Sequence, residues 1–523
     1  MALWNLSKNR ETMALKELTC PSFELCLMLF STIITIIVFK LRTSVKVESK
    51  GIVNLPPSPR KLAIIGNLHQ IGALPYRSFK ALSEKYGDVM LLQLGHIPTV
   101  VVSSAQVVDE IMKAHDLALS NRGQSTATNI LLYGSNDIGF GNYGERWKQK
   151  RKICVRELLS PKMVQSESIR LVREGAVAEL LDKVREAAAA SCSSLNLSEL
   201  LVEAANNIIC NSALGQKNDA KGVRRRDSVK VWAKKVMFQV GVVTLGDHFP
   251  WLRWVDVLTG QVREFKATFA ALDPLFDKVI AEHRSSMFNK EAADDDLRDF
   301  VDILVQLQDQ QQAANNAISN NDIKSILLDM FAAGSETTSV TVEWAMSELM
   351  KNPMELKKVQ EEVRRVVGHK SIVEESNVNQ MEYLKCVVKE TLRLHPPAPL
   401  LVPRVATRHV KLSGYDIPAK TRLYVNVWAI QRDPRVWDSP EDFIPERHRH
   451  SHTPNFKFIP FGFGRRGCPG MNFGLASVEY MLANLLYYFN WESPQAIDMA
   501  ETFGLVASKR IPLRLKPIPF SFG

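Results

Sequence analysis

Through most of the chain, apolar residues recur every three or four positions, the period of a helix with one buried face. LPYRSFKALSEKYG, VDEIMKAH, ESIRLVREGAVAELLDKVREAAAA, VEWAMSELMKNPMELKKVQEEVRRVVG and MNFGLASVEYMLANLLYYF all read this way. Two shorter apolar runs, VMLLQLG and TVVVSS, separated by GHIP, read instead as adjacent strands. The pattern predicts a mainly α protein with a minor β region. Two polar stretches interrupt it: residues 213 to 229, ALGQKNDAKGVRRRDSV, and residues 307 to 322, LQDQQQAANNAISNND. Neither is long or biased enough to mark a domain seam, so surface loops are expected there. No internal repeat is present.

The N-terminus breaks the amphipathic rhythm. FELCLMLFSTIITIIVF, from Phe23 to Phe39, is a run of 17 residues in which Glu24 is the only charge. It lies at the short end of what spans a bilayer, and it passes into KLRTSVKVESK without the small-residue cleavage site of a signal peptide. Lys40, Arg42, Lys46 and Lys50 outweigh the mixed charges before the run, so the positive-inside rule places the chain beyond Phe39 in the cytoplasm. Pro56, Pro57 and Pro59 then stiffen the exit. The expected organisation is a tail over 1–22, a membrane anchor over 23–39, a basic and proline-rich linker over 40–60, and one large domain over 61–523.

Composition narrows the function classes. The 523 residues, 46% of them hydrophobic, suffice for a large core. Seven cysteines, an odd number with no CxxC pair, point to a reducing compartment rather than a disulfide framework. A formal charge of +10 suits an anionic membrane or an acidic protein partner. Nucleic acid is disfavoured, because the chain has no zinc-finger, helix-turn-helix or phosphate-loop pattern. His448, His450 and His452 alternate in HRHSHTP, yet no acidic or cysteine ligands accompany them, so a solvated loop is expected. Asn196 heads a glycosylation sequon that a cytoplasmic placement would leave unused.

The chemistry concentrates in FGFGRRGCPG, Phe461 to Gly470. Its four glycines let the backbone fold tightly against another object, and Cys468 falls just before a helix start, where a thiolate is favoured. A lone thiolate can be a nucleophile, but no nearby histidine would activate it. It can also be the axial ligand of a haem iron, with the glycines admitting a flat macrocycle. Elsewhere, Glu390 and Arg393 share a helix face in KETLRLHPPAP, and Trp147 and Arg151 share one in ERWKQKRKICVREL. Gly334, Ser335, Thr337 and Thr338 weaken the ladder in the middle of the helical LLDMFAAGSETTSVTVEWAM.

Together these segments resemble the cytochrome P450 family. Phe461, Gly464, Arg466, Cys468 and Gly470 match its haem-thiolate signature FxxGxRxCxG; Ala333, Gly334, Glu336 and Thr337 match AGxET; Glu390 and Arg393 match ExxR; FIPERH supplies Arg447; Trp147 and Arg151 match WxxxR. The segments stand in the family order, and the resemblance runs from the N-terminal anchor to ASKRIPLRLKPIPF, most like a plant microsomal member of the specialised-metabolism clan. It implies the P450 fold behind an N-terminal transmembrane helix, in the endoplasmic reticulum membrane with the catalytic domain facing the cytoplasm. It implies haem b held by Cys468, a haem propionate held by Trp147 and Arg151, and the Cys468 region braced by Glu390, Arg393 and Arg447. His448 replaces the usual terminal aromatic of the PERF segment, so the packing beside the brace is expected to differ.

By the same resemblance, Thr337 and Glu336 manage protons while one oxygen atom of dioxygen enters a hydrophobic small molecule such as a terpenoid. Electrons come from NADPH through a P450 reductase, with cytochrome b5 as a candidate accessory donor. Lys148, Lys150, Lys152 and Arg465 are candidates for a basic donor-facing surface, or simply a solvated charged face. The substrate-recognition regions carry over to Ile130 and Leu131, to Leu328, Phe331, Ala332 and Ala333, to Leu401 and Val402, and to Phe503, Gly504 and Leu505, each equally readable as core filler. Two alternatives remain open at this level: a haem-thiolate isomerase or dehydratase that needs no external donor, and a non-catalytic haem-binding protein at a membrane.

Overall fold

The computed structural model describes residues 54–521 except 191–193, 216–228, 230, 233, 289–297, 312–316, 371 and 450–455, together with Met28, Ser31 and Thr32. The chain divides into two compact units, Met1–Asn54 and Leu55–Gly523. In the first, Met28, Ser31 and Thr32 are helical and the Thr32 hydroxyl donates to the Met28 carbonyl at 2.6 Å. The expected anchor and most of the expected linker otherwise lie outside the described residues. Among the described residues, no helix is long and apolar enough to cross a membrane.

The second unit begins with α1 (Pro75–Tyr86), whose proline sits in the first turn, where its missing N–H costs nothing. Gly87, at φ +95°, ends it. The expected strand pair comes next as β1 (Val89–Leu94) and β2 (Ile97–Val102), antiparallel, with Leu94 opposite Ile97. The turn is therefore tighter than GHIP suggests, because Ile97 and Pro98 belong to the second strand. β3 (Asn121–Arg122), β4 (Arg404–Val405) and β5 (Arg422–Val425) complete a mixed sheet in the order β1-β2-β5-β4-β3, with β2 and β5 parallel. This sheet joins distant parts of the chain, and the pairing of β3 with β4 sets Arg122 opposite Arg404.

Three smaller sheets and a majority of helices make up the rest, the helices including α2 (Glu145–Ile153), α3 (Glu167–Ala189), α4 (Leu197–Leu214), α5 (Gln261–Phe288), α6 (Asn320–Gly334), α7 (Glu336–Lys351), α8 (Pro353–Val367), α9 (Glu382–Leu394) and α10 (Met471–Tyr488). Ser319 starts α6 with a reciprocal cap, its hydroxyl on the Asp322 N–H and the Asp322 carboxylate on the Ser319 N–H. The apolar periodicity running from Val342 to Gly368 conceals a break: Asn352 leaves the helical region and Pro353 opens α8. The polar stretch 307–322 is partly helical at both ends, since the helix Phe300–Gln311 enters it and α6 leaves it. Neither polar stretch separates domains; both fall inside the second unit.

α7 packs against α4, α9 and α10, and a core containing Leu201, Ile208, Val342, Met346, Leu384 and Leu482, all nearly inaccessible, forms where they meet. Each such side chain contributes about 1.5–3 kcal/mol by leaving water, which fixes these helices as a rigid frame. A smaller core, including Val100, Val102, Leu423 and Ile430, lies under the sheet.

Candidate functional site

The long helical run expected over the Gly-Ser-Thr segment is two helices that meet at Ser335, whose φ of −89° and ψ of −60° depart from the regular ladder. Around the break the hydroxyls turn back on the helix: Thr337 donates to the Ala333 carbonyl at 2.6 Å, Thr338 to Gly334 at 2.8 Å and Thr341 to Thr337 at 2.7 Å. Such bonds compete with the regular ladder. Ala333, Gly334, Thr337, Thr338 and Thr341 thereby line one wall of a cavity.

The FGFGRRGCPG segment lines another wall, from Phe461 through Gly470 apart from Gly464 and Arg465. Its fold is a tight turn in which the Cys468 N–H donates to the Phe461 carbonyl at 2.8 Å and the Gly467 N–H to the Gly464 carbonyl at 3.0 Å. Gly462 and Gly464 sit at φ +71° and +64°, which side chains with a Cβ rarely adopt. At Gly464 a Cβ would also stand 2.4 Å from Asp116 Oδ1. Asp116 occupies that space to bind the Arg465 N–H at 3.1 Å and the Arg404 guanidinium at 3.0 Å.

The Cys468 thiol is accessible although protein surrounds it, because it opens into the cavity rather than onto the outer surface. Burial pushes its pKa up, while the Gly470 N–H and the Arg151 guanidinium pull it down. Positive charge collects beside it: Arg122, Arg151, Arg404 and Arg466 all line the cavity. Burial, then repulsion from Arg404, brings the Arg466 pKa down to about 9 despite the pull of Asp137 and Asp116. A cavity with a thiol in one wall and crowded, desolvated guanidiniums beside it suits a flat group that offers a metal to sulfur and carboxylates to the arginines. The residues present thus fit a haem.

Glu390, Arg393 and Arg447 come together in one buried cluster. Glu390 is fully buried; Arg393 reaches both its oxygens at 2.8 Å, Arg447 reaches Oε1 at 2.9 Å, and the Ile444 N–H reaches Oε1 at 2.9 Å. Burial alone would raise this carboxyl, but the bonds from Arg393 and His448 outweigh it and hold the pKa at about 2. Arg393 also donates to the carbonyls of Gln431, Pro440 and Asp442, and Arg447 to those of Asp438 and Ser439. His448 is not in a solvated loop: it is buried, with Nε2 2.8 Å from Glu390 Oε2. His450 and His452 lie outside the described residues.

The other expected residues divide. Ala333, Leu401 and Val402 line the cavity, as do Arg151, Phe461 and Arg466. Trp147 stands behind the lining, its indole N–H on the Ile138 carbonyl at 3.0 Å and its ring 4.1 Å from the Arg466 guanidinium. Arg151 donates to the Gly467 carbonyl at 2.7 Å. Glu336 is half-buried and outside the lining; burial raises its pKa and Lys234 draws it down.

Ile130, Leu131, Leu328, Phe331 and Ala332 also lie outside the lining. Leu131, Leu328 and Phe331 are packed in the helical core, with Phe331 stacked on Phe276, and Ile130 packs against that core. Phe503 meets the Tyr76 ring at 5.7 Å and Leu505 packs on the core edge. Gly504 is likewise absent from the lining. Of the basic quartet, Lys148, Lys152 and Arg465 are exposed, but Lys150 is buried, bonded to Asn136 and 3.3 Å from Asp322.

Sequence reasoning missed Arg122, Arg404, Asp329 and Met330 in the lining. The phase of the helix could have found the last two: stepping back eight and seven positions from Thr337 along one face reaches them.

The family model for cytochrome P450 matches residues 56–516. Phenylacetaldehyde oxime monooxygenase of Prunus mume is 46% identical over 514 residues, covering 95% of this chain and 94% of that one. Cytochrome P450 71A1 of Persea americana is 45% identical over 462 residues, with 86% and 90% covered. Norfluorocurarine oxidase from Strychnos is 41% identical, with 88% and 91% covered. Among solved structures, a zebrafish cytochrome P450 with progesterone superposes with a TM-score of 0.74 at 26% identity, over 85% of this chain and 99% of that one. The thiol-lined cavity, the Glu390 cluster and these likenesses together show that the chain belongs to the cytochrome P450 family, next to plant members, as an oxidoreductase of a family whose cofactor is haem.

Proposed function

We propose that the protein inserts one oxygen atom from dioxygen into a hydrophobic small molecule, a plant specialised metabolite such as a terpenoid, with electrons from NADPH delivered by a P450 reductase. The observation that carries this reading is that Cys468 and Thr337, from segments 131 positions apart, line the same largely apolar cavity. Haem, when bound, supplies the centre at which dioxygen is activated. Cys468 would hold its iron, and Arg151, Arg404 and Arg466 are placed to hold its carboxylates.

Thr337 donates its hydroxyl hydrogen bond to the Ala333 carbonyl, so its oxygen is left to accept a hydrogen bond from a donor within the cavity and to hold that proton in place. Burial raises the pKa of Glu336, one residue earlier, so that carboxyl would exchange protons nearer to neutrality at the edge of the site. Met330, Leu401 and Val402 would exclude water and orient an apolar substrate. Relatives named for phenylacetaldehyde oxime and norfluorocurarine favour a small molecule of this kind.

The apolar run 23–39 and its basic flank support a single-pass anchor in the endoplasmic reticulum membrane with residues 61–523 facing the cytoplasm. Exposed Lys148, Lys152 and Arg465 support docking of an acidic electron donor, the reductase or cytochrome b5.

The test is a panel of terpenoid and aromatic substrates with reductase, NADPH and isotopically labelled dioxygen, read by product mass and structure. Label in the product only with NADPH and reductase supports the proposal. Full turnover with a hydroperoxide and no reductase would overturn it.

A further inference from the structure

Among the described residues that line the cavity, Asp329 is the only acid. Its Oδ2 accepts from the backbone N–H of Ile138 at 2.6 Å, across the cavity wall from α6 to the loop between residues 132 and 144. Asp137, buried in that loop, accepts the Phe140 N–H on Oδ2 at 2.7 Å, while its Oδ1 is buried with no partner. Both carboxyls flank Gly139: a Cβ there would stand 3.1 Å from Asp137 Oδ2 and 3.6 Å from Asp329 Oδ1.

Two carboxyls crowded together away from water do not both ionise. A proton bound between them would also supply the donor that Asp137 Oδ1 lacks. We infer that Asp137 and Asp329 share one proton and form an acid clasp that fastens the 132–144 loop onto α6 as a wall of the substrate chamber, which makes both of them positioning residues. The inference rests on reading this cavity as the substrate chamber.

The surroundings agree. Burial pushes both carboxyls above the ordinary carboxylate range, and the charge of Asp137 adds to the rise at Asp329. Lys150 and Cys154 face the pair from α2 and the turn after it; Arg122 of β3 and Arg466 of the thiol loop face Asp137. Lys150 draws both carboxyls down, but its ammonium is engaged by Asn136 and by Asp322, so it does not neutralise the pair. Loss of the shared proton as pH rises leaves two like charges side by side, which parts the loop from the helix.

Asparagine keeps a donor at either position and cannot ionise; alanine removes the bond. The experiment compares wild type with Asp137→Asn, Asp329→Asn and Asp329→Ala, each haem-loaded. Hydrogen-exchange protection of the Ile138 and Gly139 amides, corrected for intrinsic rate, is followed from neutral to alkaline pH. Binding of 1-phenylimidazole, an apolar azole that enters the cavity, is followed in parallel by the haem absorption shift.

Wild type is expected to lose protection and azole affinity as pH rises, while at least one asparagine variant holds its neutral-pH values throughout. Asp329→Ala is expected to bind the azole about tenfold more weakly at neutral pH, the scale of one buried hydrogen bond. Asparagine variants that track the wild-type pH curve, or that match alanine at neutral pH, would overturn the clasp. If the protection pattern held but the reduced carbon monoxide complex lacked thiolate-haem absorption, the clasp would stand and the haem-thiolate reading would fall.

Discussion

His448 Nε2 lies 2.8 Å from Glu390 Oε2, against a carboxylate that Arg393 and Arg447 already grip. An imidazole here does what a phenyl ring cannot: it adds a donor to the cluster. Burial lowers its pKa further than the Glu390 bond and charge raise it, so the neutral ring is favoured and its Nε2–H donates to the carboxylate.

That depressed pKa has a pH consequence. The unfolded imidazole takes a proton near pH 6.5, before the folded one does, so the contribution of His448 is complete above about 6.5 and is lost as pH falls through the lower folded value. His448→Phe is expected to keep haem and lose about 1–3 kcal/mol at neutral pH through the missing bond to a buried charge. Its thermal unfolding midpoint should then decline less than that of wild type between about pH 7 and about pH 5. Parallel midpoint curves would remove His448 from this role.

Glu390→Gln removes the charge shared by two guanidiniums. With Arg393 fully buried, the cost is expected to reach about 3–5 kcal/mol, the scale of a buried ion pair deprived of one partner. Arg447 is partly exposed and its loss should cost less, because water can replace part of what it gives. Unfolding midpoints and the yield of thiolate-haem absorption check the order; Arg447→Ala as damaging as Glu390→Gln would contradict it.

Thr337→Ala deletes one hydroxyl and one methyl from the cavity wall and leaves the rest of the lining in place. Haem content and the carbon monoxide spectrum should be unchanged, while product formed per NADPH consumed falls about tenfold or more, the range of a lost proton-transfer group. Coupling equal to wild type would strip Thr337 of its proton role.

Gly462→Ala and Gly464→Ala separate backbone strain from collision. Both place a Cβ at positive φ, costing about 1 kcal/mol. At Gly462 the nearest atom would be Leu401 Cδ1 at 3.7 Å, an ordinary contact, whereas at Gly464 it would be Asp116 Oδ1 at 2.4 Å. Gly464→Ala should therefore displace Asp116 from Arg404 and Arg465 and lose haem, and Gly462→Ala should retain it. Equal haem retention would show that Asp116 yields freely.

What was readable in the sequence was chemistry carried by local order. Cys468, Arg466, Thr337, Arg151 and the Glu390 cluster come from short spacings, and the structure brings the first four to one cavity and joins Glu390 to Arg393 and Arg447. What escaped depended on partners far along the chain. Lys150 looked like one more surface lysine because its partner Asp322 is 172 positions away. Arg404 carries no local mark; only the β4 pairing with β3 and β5 brings it beside Asp116 and the thiol loop. The family resemblance points to Leu328 and Phe331, but helix phase turns them to the core and leaves Asp329 and Met330 to the cavity.

Helix α9 touches the cavity through Leu392, whereas its Glu390 and Arg393 engage the segment from Gln431 to His448. It is a bulkhead between a chamber and a foundation. Met330 and Val402 line the chamber from outside α9, whereas Glu390, Arg393 and Arg447 bond to one another and to backbone between Gln431 and Ile444. The chamber can thus be reshaped from α6 and from the segment after α9 while the ion pairs carried by α9 itself stay as they are.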